Sequence, residues 1–203
     1  MTFSFTEGHS DPTVQPVPAS VVQQVDAADT TLSNPRRAVI SIGANLGNRL
    51  ETLQGAIDAL EDTPGVRIKA VSPVYETVPW GVEPGSQPSY FNAVVVLKTT
   101  LPPSSLLERA HAVEEAFHRV REERWGARTI DVDIVAYADV VSDDPVLTLP
   151  HPRAHERAFV LAPWHDVEPE AQLPGRGPVA ILLDTVTRDG VAPRKDLELR
   201  LPE

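Results

Sequence analysis

Cysteine is absent from this 203-residue chain. That excludes disulfides, zinc–thiolate sites and cysteine nucleophiles together, and it suits a reducing compartment. No apolar run approaches the roughly 18 residues of a membrane span. No lysine or arginine precedes Arg36, and no apolar block lies there, so a secretory leader is not expected. Positive charge is the scarcer sign, with 18 basic against 29 acidic residues and a net charge of −11. Such a surface repels duplex nucleic acid unless its basic residues are segregated. The expectation is a soluble, cytoplasmic protein with neither a nucleic-acid nor a membrane partner.

What is present describes a globular chain, 41% hydrophobic and 23% charged. It is long enough for one domain with a sizeable core plus an extra segment. Residues 1–36 are rich in Ser, Thr, Pro, Gln and Asp, and Val21, Val22 and Val25 fall in no sustained pattern. Such a segment cannot bury enough apolar surface to offset its ordering entropy, so a disordered tail is expected. A misassigned start or a private extension would look the same.

Order is expected from "AVISIGANLGNR" (38–49), a short strand over Ala38–Ile42 followed by a turn over Gly43–Gly47. Asn48, with Glu51 three residues on, resembles a capping pair. Leu50, Leu53, Ile57 and Leu60 then share one helical face until Pro64-Gly65 stops it. Residues 66–76 read as a strand, 77–89 as a long Pro/Gly loop, and 91–99 as another strand. Pro102, Pro103 and Ser105, with Glu108 three residues later, open a second helix. Its apolar face is Leu106, Ala110, Val113, Phe117 and Val120. The following "RWGARTIDVDI" (124–134) alternates with period two, as a half-buried strand does. The order β-α-β-β-α-β predicts an α+β fold: a ferredoxin-like core with two helices on one face of an antiparallel sheet. Residues 145–203 are Pro-rich, with short helices expected at 157–162 and 179–187 and a frayed last dozen residues.

Residues i and i+2 of a strand share a face, so Asp131 and Asp133 project side by side. Two carboxylates that close repel each other unless a cation sits between them. Hard oxygen donors at this spacing suit Mg²⁺, which completes its shell with substrate phosphates. An edge strand whose aspartates merely face water is the alternative. Arg119, Arg121, Arg124 and Arg128 precede the pair within a dozen positions. Taken singly, each fits a solvated loop paired with Glu122 and Glu123. Together with a metal-binding pair they are what phosphoryl transfer requires, because that chemistry needs positioning and charge neutralisation. Tyr90 and Asn92 share parity at the start of the 91–99 strand, and Thr77 and Trp80 lie in the long loop. Aromatic planes with an amide suit a flat, hydrogen-bonding heterocycle. "LPHPRAHERAF" (149–159) adds His151, Arg157 and Phe159. No H-x-x-x-H falls on an expected helix, so zinc has no support.

Five blocks, "SIGANLGNR", "SPVYETVPWG", "YFNAVV", "RVREERWGARTIDVDI" and "LPHPRAHERAF", occur in that order. Together they resemble the 6-hydroxymethyl-7,8-dihydropterin pyrophosphokinase family of the folate pathway, over about residues 38–175. The resemblance implies transfer of pyrophosphate from ATP to the hydroxymethyl group of the reduced pterin, with release of AMP. It implies that Asp131 and Asp133 hold two Mg²⁺ ions, and that Arg119 and Arg128 act on the phosphates from a mobile loop. Arg121, Trp125, Ile134, His151 and Arg157 match positions lining the ATP site. Tyr90 and Phe159 match the aromatics that sandwich the pterin, and Asn92, Thr77 and Trp80 complete that pocket. His111, Val146 and Pro152 depart from residues that some members carry near ATP. The expected organisation is a tail (1–36), a catalytic domain (37–175) and an extension (176–203) that packs on the domain or frays from it, acting as a monomer. A ferredoxin-like regulatory domain that only binds a nucleotide or small ligand is the competing class.

Overall fold

The structure, a computed structural model, describes residues 32–79, 87–117 and 129–202. The tail expected at 1–36 lies outside them as far as residue 31, as does the expected end of the second helix at Val120.

Branched aliphatics fit a pleated, buried surface, and the chain's two richest runs form its longest strands. These are β1 (Arg36–Ala44) and β4 (Tyr90–Thr99). They pair antiparallel, with Ile40 opposite Val95. Both are buried almost throughout, as expected of strands covered on both faces. Strand β5 (Asp131–Tyr137) pairs with the other side of β1. The segment read as one strand over 66–76 is two, β2 (Val66–Val71) and β3 (Tyr75–Thr77). Both pair with β4, and all these pairings are antiparallel. Pro73 has no N–H for the ladder, and the strand is interrupted there. Ser72 spans the break, its Oγ accepting from Val94 N at 2.8 Å.

Helix α1 (Arg49–Glu61) is capped by Asn48, whose side chain accepts from Glu51 N. Helix α2 (Pro103–Ala116) opens at the expected Pro102-Pro103 pair rather than at Ser105. Pro102 is the cap and Pro103 the first helical residue, where a missing N–H costs nothing and the fixed φ already suits a helix. Leu53, Ile57, Leu60, Leu106, Ala110 and Val113 pack with Ile40, Ile42, Val95, Leu97, Val132 and Ile134 in one core. The opposite sheet face is covered too, which the two-helix expectation did not provide for. There Val160, Leu161 and Trp164 of α3 (Ala158–Val167) and Leu183 of α4 (Val179–Thr185) pack with Val39, Val94, Val96 and Val135. The result is a mixed α/β fold, an antiparallel sheet with four α-helices among the described residues, none long and apolar enough to cross a membrane.

Two short strands, β6 (Gln172–Leu173) and β7 (Gly177–Pro178), pair with each other. The fraying expected of the last dozen residues is not what the structure has. Val191–Pro193 forms β8 on the outer edge of β3, and Leu197 and Leu199 pack against the first core. The Arg200 N–H donates to Gln54 Oε1 at 2.8 Å, returning the chain to α1.

Candidate active site

Registers across the sheet decide which side chains meet. Asp131 lies opposite Gly43 of β1, and Gly43 lies opposite Asn92 of β4. Asp133 is two residues on, opposite Ser41. Asp131 and Asp133 are half-buried, whereas Val132 and Ile134 between and after them are buried in the α1–α2 core. The two carboxylates therefore share the opposite face with Asn92, about 10 Å away across two inter-strand spacings.

Gly43 is the element between them. A Cβ there would stand 2.7 Å from Asn92 Oδ1. The missing side chain lets the Asn92 amide lie close against β1 on the face that carries the acidic pair. Asn92 is 4% exposed, and its Nδ2 donates to Thr77 Oγ1 at 2.7 Å. That bond commits the Asn92 amide nitrogen to β3 and leaves Oδ1 as the group beside Gly43. Tyr90, opposite Thr77, has the same parity. Thr77, Tyr90 and Asn92 thus form one polar corner on adjacent strands.

The loop entering α3 contributes the cationic side. Arg157 Nη1 is 3.4 Å from Asp133 Oδ2, and its guanidinium lies 5.6 Å from the Phe159 ring centre. Burial lowers the Arg157 pKa, and the Asp133 charge opposes that shift. His151 N donates to Val135 O at 2.8 Å, fixing this loop to β5. Its Nδ1 accepts from Arg153 N, which leaves the proton of the neutral ring on Nε2, 3.9 Å from Asp133 Oδ2. Burial, then the nearby Arg157 charge, pushes the His151 pKa down to about 4, against the pull of Asp131.

This shift gives a prediction. A histidine depressed in the fold binds its proton more readily when unfolded, so stability present above pH 6.5 is lost as pH falls towards 4. The loss is on the order of 2 kcal/mol after allowance for partial exposure. His151→Asn should flatten the urea midpoint between pH 6.5 and 4.5. Parallel curves for both proteins would contradict it.

Ile134 and His151 line a cleft of about 270 Å³ beside Asp133. Leu107, His111, Glu114, Val146 and Pro152 also lie in its wall. Among the expected site residues, Trp80, Arg119, Arg121, Trp125 and Arg128 lie outside the described residues. Asp131, Asp133, Ile134, His151, Arg157, Phe159, Thr77, Tyr90 and Asn92 are described, and they occupy β5, β4, β3 and the loop and helix that follow β5.

Two further residues escaped the sequence reading. Asn45, 1% exposed, donates through Nδ2 to Pro88 O at 3.3 Å. Arg49 donates to Ser89 O at 2.7 Å and stacks 3.6 Å over the Phe91 ring. The "ANLGNR" stretch thus anchors the chain where it re-enters β4.

Whether this site fits a divalent cation can be judged from its donors. Two hard oxygens share one partly exposed face, and no group of three or more His, Asp or Glu that could hold a metal occurs among the described residues. That donor set suits an ion that takes only one or two carboxylates and leaves positions for phosphate oxygens and water.

Residues 39–169, more than half the chain, match the family model for 7,8-dihydro-6-hydroxymethylpterin-pyrophosphokinase. The chain is 47% identical over 148 residues to the 2-amino-4-hydroxy-6-hydroxymethyldihydropteridine pyrophosphokinase of Mycobacterium leprae, covering 68% of this chain and 74% of the relative. It is 42% identical over 139 residues to the enzyme of the same name from Methylorubrum extorquens, covering 68% and 87%. Among solved structures it resembles a Plasmodium falciparum HPPK-DHPS mutant with pteroate, at a TM-score of 0.59 and 17% identity. That match covers 75% of this chain but only 43% of the other, and it concerns the fold alone.

Proposed function

We infer the function from one premise: the chain belongs to the 7,8-dihydro-6-hydroxymethylpterin-pyrophosphokinase family. Its activity is transfer of pyrophosphate from ATP to 6-hydroxymethyl-7,8-dihydropterin in folate biosynthesis. The hydroxymethyl oxygen bonds to the β-phosphorus, the bond from that phosphorus to the α–β bridging oxygen breaks, and AMP leaves as the hydroxyl proton is lost.

The observation that carries the site assignment is the row Asp131–Gly43–Asn92. It supports a pterin held at the Thr77–Tyr90–Asn92 corner, with its hydroxymethyl arm directed past Gly43 towards the acidic pair. Asn92 Oδ1 is placed to accept from the heterocycle, and Tyr90 and Phe159 supply the aromatic planes. Asp131 and Asp133 would hold two Mg²⁺ ions, which when bound neutralise charge on the phosphate oxygens and the acceptor. Arg157 and the Nε2–H of His151 are donors for phosphate oxygens beside Asp133. Ile134 provides an apolar wall for the nucleotide, with Arg121 and Trp125 completing that site. Arg119 and Arg128 are assigned to the transferring phosphates, and Trp80 to the pterin pocket.

Coarser features fit the same reading. Strand order β5-β1-β4, with β2 on the far side of β4, supports a ferredoxin-like core. We read residues 37–175 as the catalytic domain, 1–36 as a tail and 176–203 as an extension packing on the domain. The whole acts as a cytoplasmic monomer without nucleic-acid or membrane partners. Incubation with ATP, Mg²⁺ and the reduced hydroxymethyl-pterin should yield AMP and a pterin diphosphate in equal amounts. ADP with a pterin monophosphate would refute the assigned reaction.

A further inference from the structure

One carboxylate in the wall of the cleft beside Asp133 has no role assigned in that reading. Glu114 is 3% exposed on α2, although the chain has ample surface for charge. Its Oε1 accepts from the backbone N–H of Val132 at 2.9 Å. Val132 is the residue between Asp131 and Asp133, and β5 is the outermost strand of its sheet on that side. An edge strand leaves alternate N–H groups without a ladder partner. Here a buried carboxylate takes one of them, and such charge-assisted bonds are roughly twice as strong as neutral ones.

We propose that Glu114 is a positioning residue for the acidic pair. By holding the outer edge of β5 at Val132, it fixes the two flanking peptide planes and so the direction and separation of the Asp131 and Asp133 carboxylates. The proposal rests on the reading of that pair as Mg²⁺ ligands. The Glu114 carboxylate from α2 takes the place of the neighbouring strand that an interior strand would have, and an edge free to twist would spread the two ligands. Groups that orient ligands in this way typically cost 10–100-fold in metal affinity or activity when removed.

The experiment uses the full chain and four variants. Glu114→Met keeps length and burial but removes the acceptor, Glu114→Gln keeps an acceptor oxygen, and Glu114→Asp shortens the reach by one methylene. Asp133→Asn reports on the metal reading itself. Two quantities are measured: amide exchange at Val132 in metal-free protein, and the Mg²⁺ concentration giving half-maximal turnover. Glu114→Met should speed Val132 exchange at least tenfold and raise the Mg²⁺ requirement by about tenfold. Glu114→Gln should bring both within about threefold of wild type.

A folded Met variant with an unchanged Mg²⁺ requirement overturns the proposal, because a purely structural role would lower only the melting temperature. Equal losses in the Gln and Met variants overturn it as well. If the Met variant does not fold, Glu114→Asp decides by the same two readouts. If Asp133→Asn shifts the Mg²⁺ requirement and the Glu114 variants do not, only the positioning role fails. If Asp133→Asn leaves that requirement at the wild-type value, the metal reading fails and the proposal falls with it.

Discussion

Asp131→Ala and Asp133→Ala are each expected to reduce turnover by on the order of 10³-fold or more. That loss corresponds to the several kcal/mol of charge stabilisation that a phosphate-bound metal supplies. Neither side chain belongs to either hydrophobic core, so neither variant should lose the fold. The two differ in stability. Asp131→Ala relieves repulsion between like charges but also removes a negative charge that favours the Arg157 guanidinium, so the two effects oppose each other in metal-free protein. Asp133→Ala also strips the Arg157 guanidinium of its neighbour at 3.4 Å, leaving a mostly buried charge poorly compensated. It should therefore melt lower than Asp131→Ala, and Asp133→Asn should recover part of the difference. Turnover and thermal melts without metal, repeated with Mg²⁺ and a non-hydrolysable ATP analogue, separate the two effects. Near-normal turnover of either alanine variant at ordinary Mg²⁺ would remove the metal assignment.

How far the site could be read in advance depends on the kind of signal each residue carries. The period-two alternation of 129–134 was enough to put Asp131 and Asp133 on one face, because strand geometry is local. Gly43 was not legible in that way. Within "SIGAN" a glycine suggests a turn, and only the registers of β5 and β4 on β1 reveal that a side chain there would fill the space beside Asn92. Glu114 did leave a trace. It falls four residues after Ala110 and next to Val113 on the buried stripe of α2, where an acid is out of place unless it has a partner. That partner, Val132 N, is a tertiary fact.

The fold shows the same division. The apolar periods of α1 and α2 predicted the helices and the core they share. The cover on the second face, led by Trp164, sits in a Pro-containing helix inside a Pro-rich region, where periodicity is weak. Composition likewise suggested fraying for the final residues. The exposed edge of β3 offers unpaired backbone groups, however, and Val191–Pro193 answers them irrespective of side-chain hydrophobicity.

The remaining assignment concerns Arg119 and Arg128, proposed to neutralise charge that develops as the pyrophosphoryl group moves. If they act in the transition state, their loss should fall on the chemical step and leave ATP affinity nearly intact. Arginines used in this way in other phosphoryl-transfer enzymes are worth on the order of 10³–10⁵ in rate, about 4–7 kcal/mol of barrier. Arg119→Ala and Arg128→Ala should each lose a factor in that range in single-turnover experiments at saturating ATP and Mg²⁺. Lysine should rescue poorly, because a point charge cannot reproduce the planar, two-pronged guanidinium. Glu122 and Glu123, interleaved with the arginines in sequence, are the controls, and their alanine variants should stay within several-fold of wild type. Calorimetric titration with a non-hydrolysable ATP analogue completes the comparison. Weakened nucleotide binding with a normal single-turnover rate at saturation would make these two arginines binding groups, and the chemical step would then rest on the acidic pair and the donors beside Asp133.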